Sequence, residues 1–341
     1  MAIPYTKDDA FYQVCKQATF GTAIAGTAAF NTPTGFIIDC EPTAFDGDHK
    51  ERRPNRSQAA KRNLDVVNYT IDNKGANPKI TFTGEAKYND IAHLFYSVVQ
   101  NVSEAALTPF DKTFTWSATQ PAFQSNAGWF ATVAEAGPTL AQSIAATDMI
   151  GTRLNLKCAP GQRLMYAWDL MGRGAINYTY DLSSPGTTTR SAAEYFHFED
   201  ITVCTVNSVE LYPTNIDITW QNNAIPVSVD PTNPGTGKCR DFALGTGNGY
   251  ECFGKLRVLW DGNSQDLQQL LVSGSTPLAY AVNWGVAGTD GHLGIALTAT
   301  VRNATIIPGD VREAEIDFVT MTNSGNAPIS VVVADAIDRS W

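Results

Sequence analysis

The sequence predicts a mainly β protein built from two tandem β-sandwich or barrel modules, each with a flanking α-helix. Three observations predict this class: segments in which apolar and polar residues alternate, a strand-then-helix unit that occurs twice, and a strand pair hinged at Pro-Gly that follows each unit. The length of 341 residues suits two domains of ordinary size better than one large core.

The first strand-then-helix unit is the segment KITFTGEAKYNDIAHLFYSVV, residues 79–99. Its first ten residues alternate in polarity, which predicts a half-buried strand because successive side chains of a strand point to opposite faces. Asn89 is the expected helix cap, and Asp90 suits the positive first turn. A short amphipathic helix is predicted from four apolar residues at helical spacing, which are Ile91, Leu94, Phe95 and Val98.

The second unit is FGKLRVLWDGNSQDLQQLLVSG, residues 253–274. Polarity again alternates, and Gly254 keeps the phase that Gly84 has in the first strand. Ser264 is the expected cap of the second helix, and Gly274 is a natural stop. The same supersecondary unit is therefore expected twice in one chain.

Each helix is followed by a strand pair with a Pro-Gly turn. The first pair lies in TRLNLKCAPGQRLMYAWDL and the second in ATVRNATIIPGDVREAEIDFV. Asp169 and Asp317 lie at the same distance from their turns. An opening strand precedes each unit, TGFIIDCEP in the first half and NIDITWQNNAIPVSV in the second.

The boundary between modules is predicted near residue 195, after a segment rich in Ser, Pro, Gly and Thr. The first module, residues 1–195, includes an N-terminal arm and an insertion at about 100–150. The second module is residues 196–341.

Composition limits the classes of function. Hydrophobic residues make up 43% of the chain and charged residues 17%, so a large core is covered by few charges, as in proteins that bury surface in partners. The formal charge of -10 argues against tight binding to nucleic-acid phosphates, although an acidic wall also fits a conduit past which DNA slides. No secretory signal or membrane helix is recognisable, so we expect a cytoplasmic site of synthesis. The six dispersed cysteines are expected to be reduced and mostly packed.

No residue is assigned a catalytic, cofactor-binding or metal-binding role. The glycines before Lys255 have phosphate-loop spacing, but Leu256 replaces the Ser or Thr that would hold magnesium. The histidines lack partners at metal-ligand spacing and are expected to be packed or surface residues; they are His49, His93, His197 and His292.

A basic loop interrupts this acidic sequence at DGDHKERRPNRSQAAKR. It could bind nucleic acid, form a mobile loop, or reach the acidic surface of a neighbouring subunit. We favour the third interpretation, an inter-subunit or inter-ring contact loop. Its residues are Asp48, Lys50, Arg52, Arg53, Arg56, Lys61 and Arg62.

The helix segment NDIAHLFYSVV, the strand pair MIGTRLNLKCAPGQRLMYAWDLMGRG and the run FEDITVCTVNSVELYPTNIDITWQNNAIPV resemble the major tail tube proteins of long-tailed, siphovirus-like bacteriophages. The resemblance covers the chain from about residue 35 to its end. It implies a virion protein, assembled in the cytoplasm of a bacterial host, whose copies join edge to edge into rings that stack into a hollow tube.

The resemblance also implies the partners. These are other copies of the chain, other tail proteins, and viral DNA that passes without specific binding; no cofactor and no membrane is implied. A ring of six equivalent domains would close with three copies of a duplicated chain, whereas six copies are needed if one module lines the lumen. The insertion is expected to decorate the tube exterior or contact the next ring.

Two other functions stay open. A glycan-binding or glycan-cleaving β-sandwich, such as an adhesin, would fit the seven tryptophans and the alternating acids Glu313, Glu315 and Asp317. Another virion component, such as a capsid or baseplate protein, would assemble by the same logic.

Overall fold

The computed structural model describes residues 11–24, 35–41, 43–47, 50–52, 70–72, 77–105, 109–116, 121, 123–137, 143–174, 176–182, 194–229, 239–244, 250–264, 277–321, 329–338 and 341. Strands dominate these residues, which confirms the mainly β class.

A front sheet of seven antiparallel strands runs through both halves of the chain. With strands numbered in chain order, its spatial order is β5 (Lys79–Glu85), β10 (Met165–Met171), β9 (Ser143–Cys158), β14 (Pro213–Gln221), β17 (Glu251–Leu259), β20 (Glu313–Met321) and β19 (His292–Ile307).

Two smaller back sheets cover the inner face of the front sheet. The first contains β2 (Gly35–Ile38), β1 (Tyr12–Lys16), β8 (Ala131–Glu135), the start of β9 and β11 (Asn177–Tyr180). The second contains β6 (Val102–Glu104), β7 (Phe110–Thr115), β21 (Ile329–Asp335), the start of β19, β18 (Leu278–Trp284), β12 (Ile201–Val206) and β13 (Val209–Glu210). Two separate hairpins are β3 (Lys50–Arg52) with β4 (Thr70–Asp72), and β15 (Ile225–Val229) with β16 (Cys239–Ala243).

Aromatic side chains join the front sheet to each back sheet. In the first half, the rings of Tyr12 and Phe82 lie 5.2 Å apart in an edge-to-face contact. In the second half, Tyr280 and Phe318 lie 5.1 Å apart. One cluster of buried apolar residues extends through both halves, so the sheets enclose a shared core.

The strand order repeats between the halves. In the first half, β10 lies between β5 and the second part of β9, while the first part of β9 pairs with β8 and β11. In the second half, β20 lies between β17 and the second part of β19, while the first part of β19 pairs with β18 and β21. Both long strands have 16 residues and bend from a back sheet into the front sheet. The module boundary at about residue 195 stays a prediction.

Two glycines align the halves residue by residue. A Cβ on Gly84 would lie 2.3 Å from the carbonyl oxygen of Asp39, and a Cβ on Gly254 would lie 2.2 Å from that of Asp217. Both strands therefore need glycine for the close approach of a neighbouring backbone. This matching contact makes Asp39 the counterpart of Asp217.

The same alignment separates two aspartates that are equally far from their turns. Gly84 pairs with Tyr166, and Gly254 pairs with Phe318, so these aromatic residues are counterparts. Asp169 then corresponds to Met321 rather than to Asp317. The β19–β20 hairpin consequently extends four residues further than the β9–β10 hairpin. Counting residues from each Pro-Gly turn therefore does not align the two hairpins.

The first helix, α1 (Ile91–Val99), is confirmed, but all of its residues are buried. It packs against β9, β7, β14 and β21 instead of presenting a polar side to solvent. Phe95 meets Trp220 edge to face at 5.0 Å, and Ser97 Oγ accepts a hydrogen bond from Trp168 Nε1 at 2.8 Å. The N-cap residue is Asp90 and not Asn89, and the Asp90 side chain does not accept a capping hydrogen bond from the first turn of the helix.

The second helix begins at Gly262, one turn earlier than expected, and is described over residues 262–264. Asp261 is its cap: Ser264 N donates to Asp261 Oδ1 at 2.9 Å, and Asp261 N donates to Ser264 Oγ at 2.8 Å. Ser264, expected as the cap, is the reciprocal partner inside the first turn. Residues 265–274, including Gly274, lie outside the described residues.

The expected insertion at about 100–150 divides into two parts. β8 and the start of β9 belong to the repeated topology, because β18 and the start of β19 are their counterparts. β6 and β7 have no such counterpart among the described residues, and β7 pairs with β21 of the second half. These two strands therefore connect the halves through the pairing of β7 with β21. A contact between the insertion and a neighbouring ring stays a prediction.

Candidate functional site

The outer face of the front sheet carries most of the charged side chains of its strands. Strand alternation buries most apolar side chains toward the back sheets and leaves charged and amide side chains on the other side, with apolar neighbours such as Phe253 and Val319 between them. One row of direct cross-strand neighbours runs from Lys157 through Asp217 and Lys255 to Asp317, with charges of alternating sign. Opposite charges directly across a strand pair stabilise the pairing.

The second half contains the densest ion-pair cluster on this face. Lys255 Nζ lies 2.9 Å from Glu315 Oε1 and 3.4 Å from Asp317 Oδ1. Arg257 lies 2.8 Å from Glu315 and 3.8 Å from Glu313. Hydrogen bonds from Arg257 and Lys255 hold the pKa of Glu315 below its usual range, and the same carboxylates raise the pKa of Lys255. Each of the alternating acids Glu313, Glu315 and Asp317 thus lies within 4 Å of a Lys or Arg nitrogen that compensates its charge.

The first half completes the polar face with hydrogen bonds. Thr81 Oγ1 donates to Asp169 Oδ1 at 2.7 Å, and Arg163 forms an ion pair with Glu85. Asn155 Nδ2 donates to Asp217 Oδ1 at 2.6 Å across the junction of the halves. These contacts use side-chain groups that could otherwise hold a ligand.

Charges on this face nearly cancel, although the whole chain is acidic. Its basic residues are Lys79, Arg153, Lys157, Arg163, Lys255 and Arg257; its acidic residues are Glu85, Asp169, Asp217, Glu251, Glu313, Glu315 and Asp317. A face with interleaved charges presents no continuous basic stripe to a phosphate backbone. The net negative charge of the chain is therefore not concentrated on this face.

An open depression lies on this face where β10, β9 and β14 meet. Polar side chains line much of it, including Thr81, Arg153, Asp169 and Gln221. Asp169 already accepts a hydrogen bond from Thr81. The described lining residues of the depression include no histidine or cysteine.

The histidines in the described residues are dispersed. His93 is buried in α1, where its ring stacks on Phe36 at 4.7 Å, and His292 is buried in β19. Burial lowers the pKa of His292, against the opposing effect of Asp111. His197 precedes a 3-10 turn at Phe198–Asp200, and His49 lies outside the described residues. In the described part of the chain, no group of three or more His, Cys, Asp or Glu residues could hold a metal ion.

The tryptophans form core instead of a sugar platform. Five are buried, namely Trp116, Trp129, Trp168, Trp220 and Trp284. The remaining two, Trp260 and Trp341, are partly buried and pack against the same core. A stacking platform needs an exposed ring face. The tryptophans are therefore explained by packing, and a glycan-binding function stays a prediction.

The cysteines are reduced where the structure describes them. Cys15, Cys158, Cys204 and Cys252 are buried and Cys40 is partly buried, and none forms a disulfide. Burial raises the pKa of Cys158 and of Cys204 to about 12, which keeps both thiols protonated and unreactive.

Little of the basic loop is described. Lys50 and Arg52 lie in β3, whose backbone pairs with β4 through Lys50–Asp72 and Arg52–Thr70. Asp48, Arg53, Arg56, Lys61 and Arg62 lie outside the described residues. The contact function of this loop stays a prediction.

Sequence reasoning missed the residues at the two ends of the front sheet. Glu41 lies beside β5 at one end of the front sheet and is exposed. Arg302 is exposed on β19 at the opposite end. The internal repeat is the sequence signal that could have identified them, because it relates the first and last front strands of one half to those of the other. Using that signal requires the strand order, which only the structure provides.

None of the helices in the described residues is long and apolar enough to cross a membrane. Comparison of the chain with protein-family models and with curated proteins finds no match.

Proposed function

We propose that this chain is a structural subunit that assembles with its own copies into stacked rings, forming the hollow tail tube of a long-tailed bacteriophage. The tube is part of the virion, is assembled in the host cytoplasm, contacts other tail proteins at its ends, and lets viral DNA pass without specific binding. The subunit performs no catalysis in this proposal.

The observation that carries the proposal is the continuous front sheet. Its inner face is covered by the back sheets, its outer face carries rows of alternating charges, and both modules contribute to it in the same strand order. An uncovered sheet edge is a template for pairing, and closure into a barrel removes all such edges. If copies join into a ring, the sheet closes on itself and the outer face of every front sheet can line one aqueous lumen.

The strand order supports a ring of three chains. Each module supplies three front strands, and β14 begins the second module beside them. The segment around Glu41 takes the matching place in the first module, where Glu41 N donates to Thr83 O at 2.7 Å. Three chains then give a barrel of about 24 strands, which at about 4.8 Å per strand has a diameter of about 37 Å, and more when the strands tilt.

Both modules belong to one sheet, so both would line the lumen. This arrangement favours the trimer with pseudo-sixfold symmetry over a hexamer in which a single module faces the channel. The balanced charges of the polar face suit DNA passage, since tight phosphate binding needs clustered Lys and Arg.

Electron microscopy of the purified protein tests the proposal. We expect negative-stain images to show rings with a central hole, or stacks of them, and we expect the isolated ring to have the mass of three chains. A protein that stays monomeric across concentration and ionic strength contradicts the proposal. Closed shells or flat plates would instead support the capsid or baseplate alternative.

A further inference from the structure

We propose that the free edge of β19, residues 300–307, pairs with the segment around Glu41 of a second copy of this chain, reproducing between copies the β9–β14 junction within the chain. This inference rests on the proposed function and specifies which edges meet, in which direction and in which register.

The junction within the chain supplies the template. The second part of β9 pairs antiparallel with β14, so that Asn155 lies opposite Thr219 and Lys157 lies opposite Asp217. Asn155 Nδ2 donates to Thr219 Oγ1 at 2.8 Å and to Asp217 Oδ1 at 2.6 Å. This is the point at which the last front strand of one module meets the opening strand of the next.

The glycine alignment identifies the counterparts of these strands. Asp39 corresponds to Asp217, so Glu41, two residues later, corresponds to Thr219. Glu41 N donates to Thr83 O, just as Thr219 pairs with Phe253, the residue before Gly254. The segment around Glu41, which follows β2 and is not itself a strand, therefore takes the place of an opening strand in the first module.

The counterpart of Asn155 is found in the same way. Asn155 pairs with Ala167, the residue after Tyr166, and Thr300 pairs with Val319, the residue after Phe318. Thr300 therefore corresponds to Asn155. The contact expected between copies is Thr300 opposite Glu41.

The two edges are open among the residues that the structure describes. β19 pairs with β20 over residues 300–307, and no described strand pairs with its other edge there. β9 has β14 in that place. In the other segment, Glu41 and Asp46 form backbone hydrogen bonds with Thr83 and Lys79 of β5. Each copy thus has one edge of either kind, and copies can join head to tail into a closed ring.

Charge is complementary across the expected contact. Arg302 is exposed at a register shift of β19, between Val301 and Asn303, and has no ion-pair partner in the described residues. The opposing segment carries two carboxylates, that of Asp39, which forms an ion pair with Lys87, and that of Glu41, which is exposed and accepts a hydrogen bond from Thr83 Oγ1 at 3.0 Å. Pro42 follows in the sequence and has no N–H to donate, so we expect a short pairing that relies on these charges.

Engineered cysteines test the register. The variant Glu41→Cys with Thr300→Cys is made in full-length protein in which Cys40 and Cys239 are replaced by serine, since the other thiols are buried. After assembly and mild oxidation, denaturing electrophoresis without reductant is expected to show covalent species of two and three chains and none larger.

Two matched pairs serve as controls. Glu41→Cys with Thr305→Cys moves one thiol five residues along the same strand, about 17 Å at the usual strand rise, and is expected to give no cross-link. Asn155→Cys with Thr219→Cys places the thiols at the junction within the chain, so it is expected to lose two thiols while migrating as one chain.

A charge exchange provides an independent measurement. Arg302→Glu alone and Glu41→Lys alone are each expected to raise the protein concentration needed for assembly about tenfold, because each places like charges across the contact. The double variant is expected to assemble close to the original concentration, which a merely structural effect at either site would not produce.

The outcomes separate this inference from the proposed function. Tubes without the Glu41–Thr300 cross-link, or with equal cross-linking at Thr305, overturn this junction and leave the tube intact. A protein that forms neither rings nor cross-links overturns both proposals.

Discussion

A fully buried ion pair connects the two halves at the level of single residues. Lys112 Nζ on β7 lies 2.7 Å from Asp335 Oδ1 on β21, and both side chains are completely inaccessible to solvent. Lys112 Nζ also lies 3.4 Å from Glu104 Oε1 and donates to the carbonyl oxygen of Phe110 at 3.1 Å. Removing two charges from water is costly, so this pair depends on both partners being present.

Removing one partner is expected to be strongly destabilising. Lys112→Met leaves the carboxylate of Asp335 buried without its cation, and we expect the free energy of unfolding to fall by about 3–5 kcal/mol. Urea denaturation followed by fluorescence measures this loss. Combining Lys112→Met with Asp335→Leu should recover part of it, because Asp335 no longer leaves a buried charge while Glu104 still loses its cation.

Lys255→Ala is the comparison, because Lys255 is exposed and also forms ion pairs. Its loss is expected to lower the free energy of unfolding far less than Lys112→Met does, because solvent screens an exposed ion pair. Equal effects at the two lysines would contradict a special role for the buried pair.

At the level of elements, the front sheet depends on close backbone approach at two matching strands. A Cβ on Gly84 in β5 would lie 2.3 Å from the carbonyl oxygen of Asp39, and a Cβ on Gly254 in β17 would lie 2.2 Å from that of Asp217. Both distances are too short for any residue other than glycine. The repeated glycine therefore reflects a repeated contact between the same pair of elements.

Gly254→Ala is expected to push β17 away from β14 and lower the free energy of unfolding by about 1–3 kcal/mol. Gly262→Ala is the matched control, because a Cβ there meets nothing within 4 Å. Thermal unfolding of both variants measures the difference. A loss at Gly262 as large as that at Gly254 would argue against the close-contact explanation.

At the level of the whole molecule, one sheet spans two modules and presents a single polar face. The core is continuous, and β6 and β7 of the first half extend the back sheet of the second half. A ring made from such subunits has one kind of junction within a chain and one between chains. Contacts between successive rings must come from other segments.

The basic loop is the segment that we expect to contact the next ring. Replacing Arg53, Arg56, Lys61 and Arg62 by glutamine removes its positive charge, and we expect shorter stacks with unchanged single rings, because attraction to an acidic neighbour is lost. Tube lengths in negative-stain images measure this, with raised salt producing the same shortening in the unmodified protein. Unchanged lengths would exclude the loop from stacking.

Much of the fold could be predicted because it follows from local patterns. Alternation from Ile80 to Glu85 and around Leu256 predicts β5 and β17, and helical spacing after Asp90 predicts α1. The polarity of α1 was misjudged, since Ser97 and His93 are buried through contacts with distant strands. Candidate junction residues could not be recognised, because Glu41 and Arg302 differ from other surface charges only by their position in the sheet.

The sequence by itself determined the class of fold, the duplicated unit, and the strand faces that are polar or apolar, because each of these depends on neighbours within a few residues. Only the tertiary structure decided that both halves share one front sheet, that Lys112 pairs with Asp335, and that Asp317 is not the counterpart of Asp169. Strand partners are chosen by backbone hydrogen bonds and packing between residues far apart in the chain, and local periodicity contains no record of that choice.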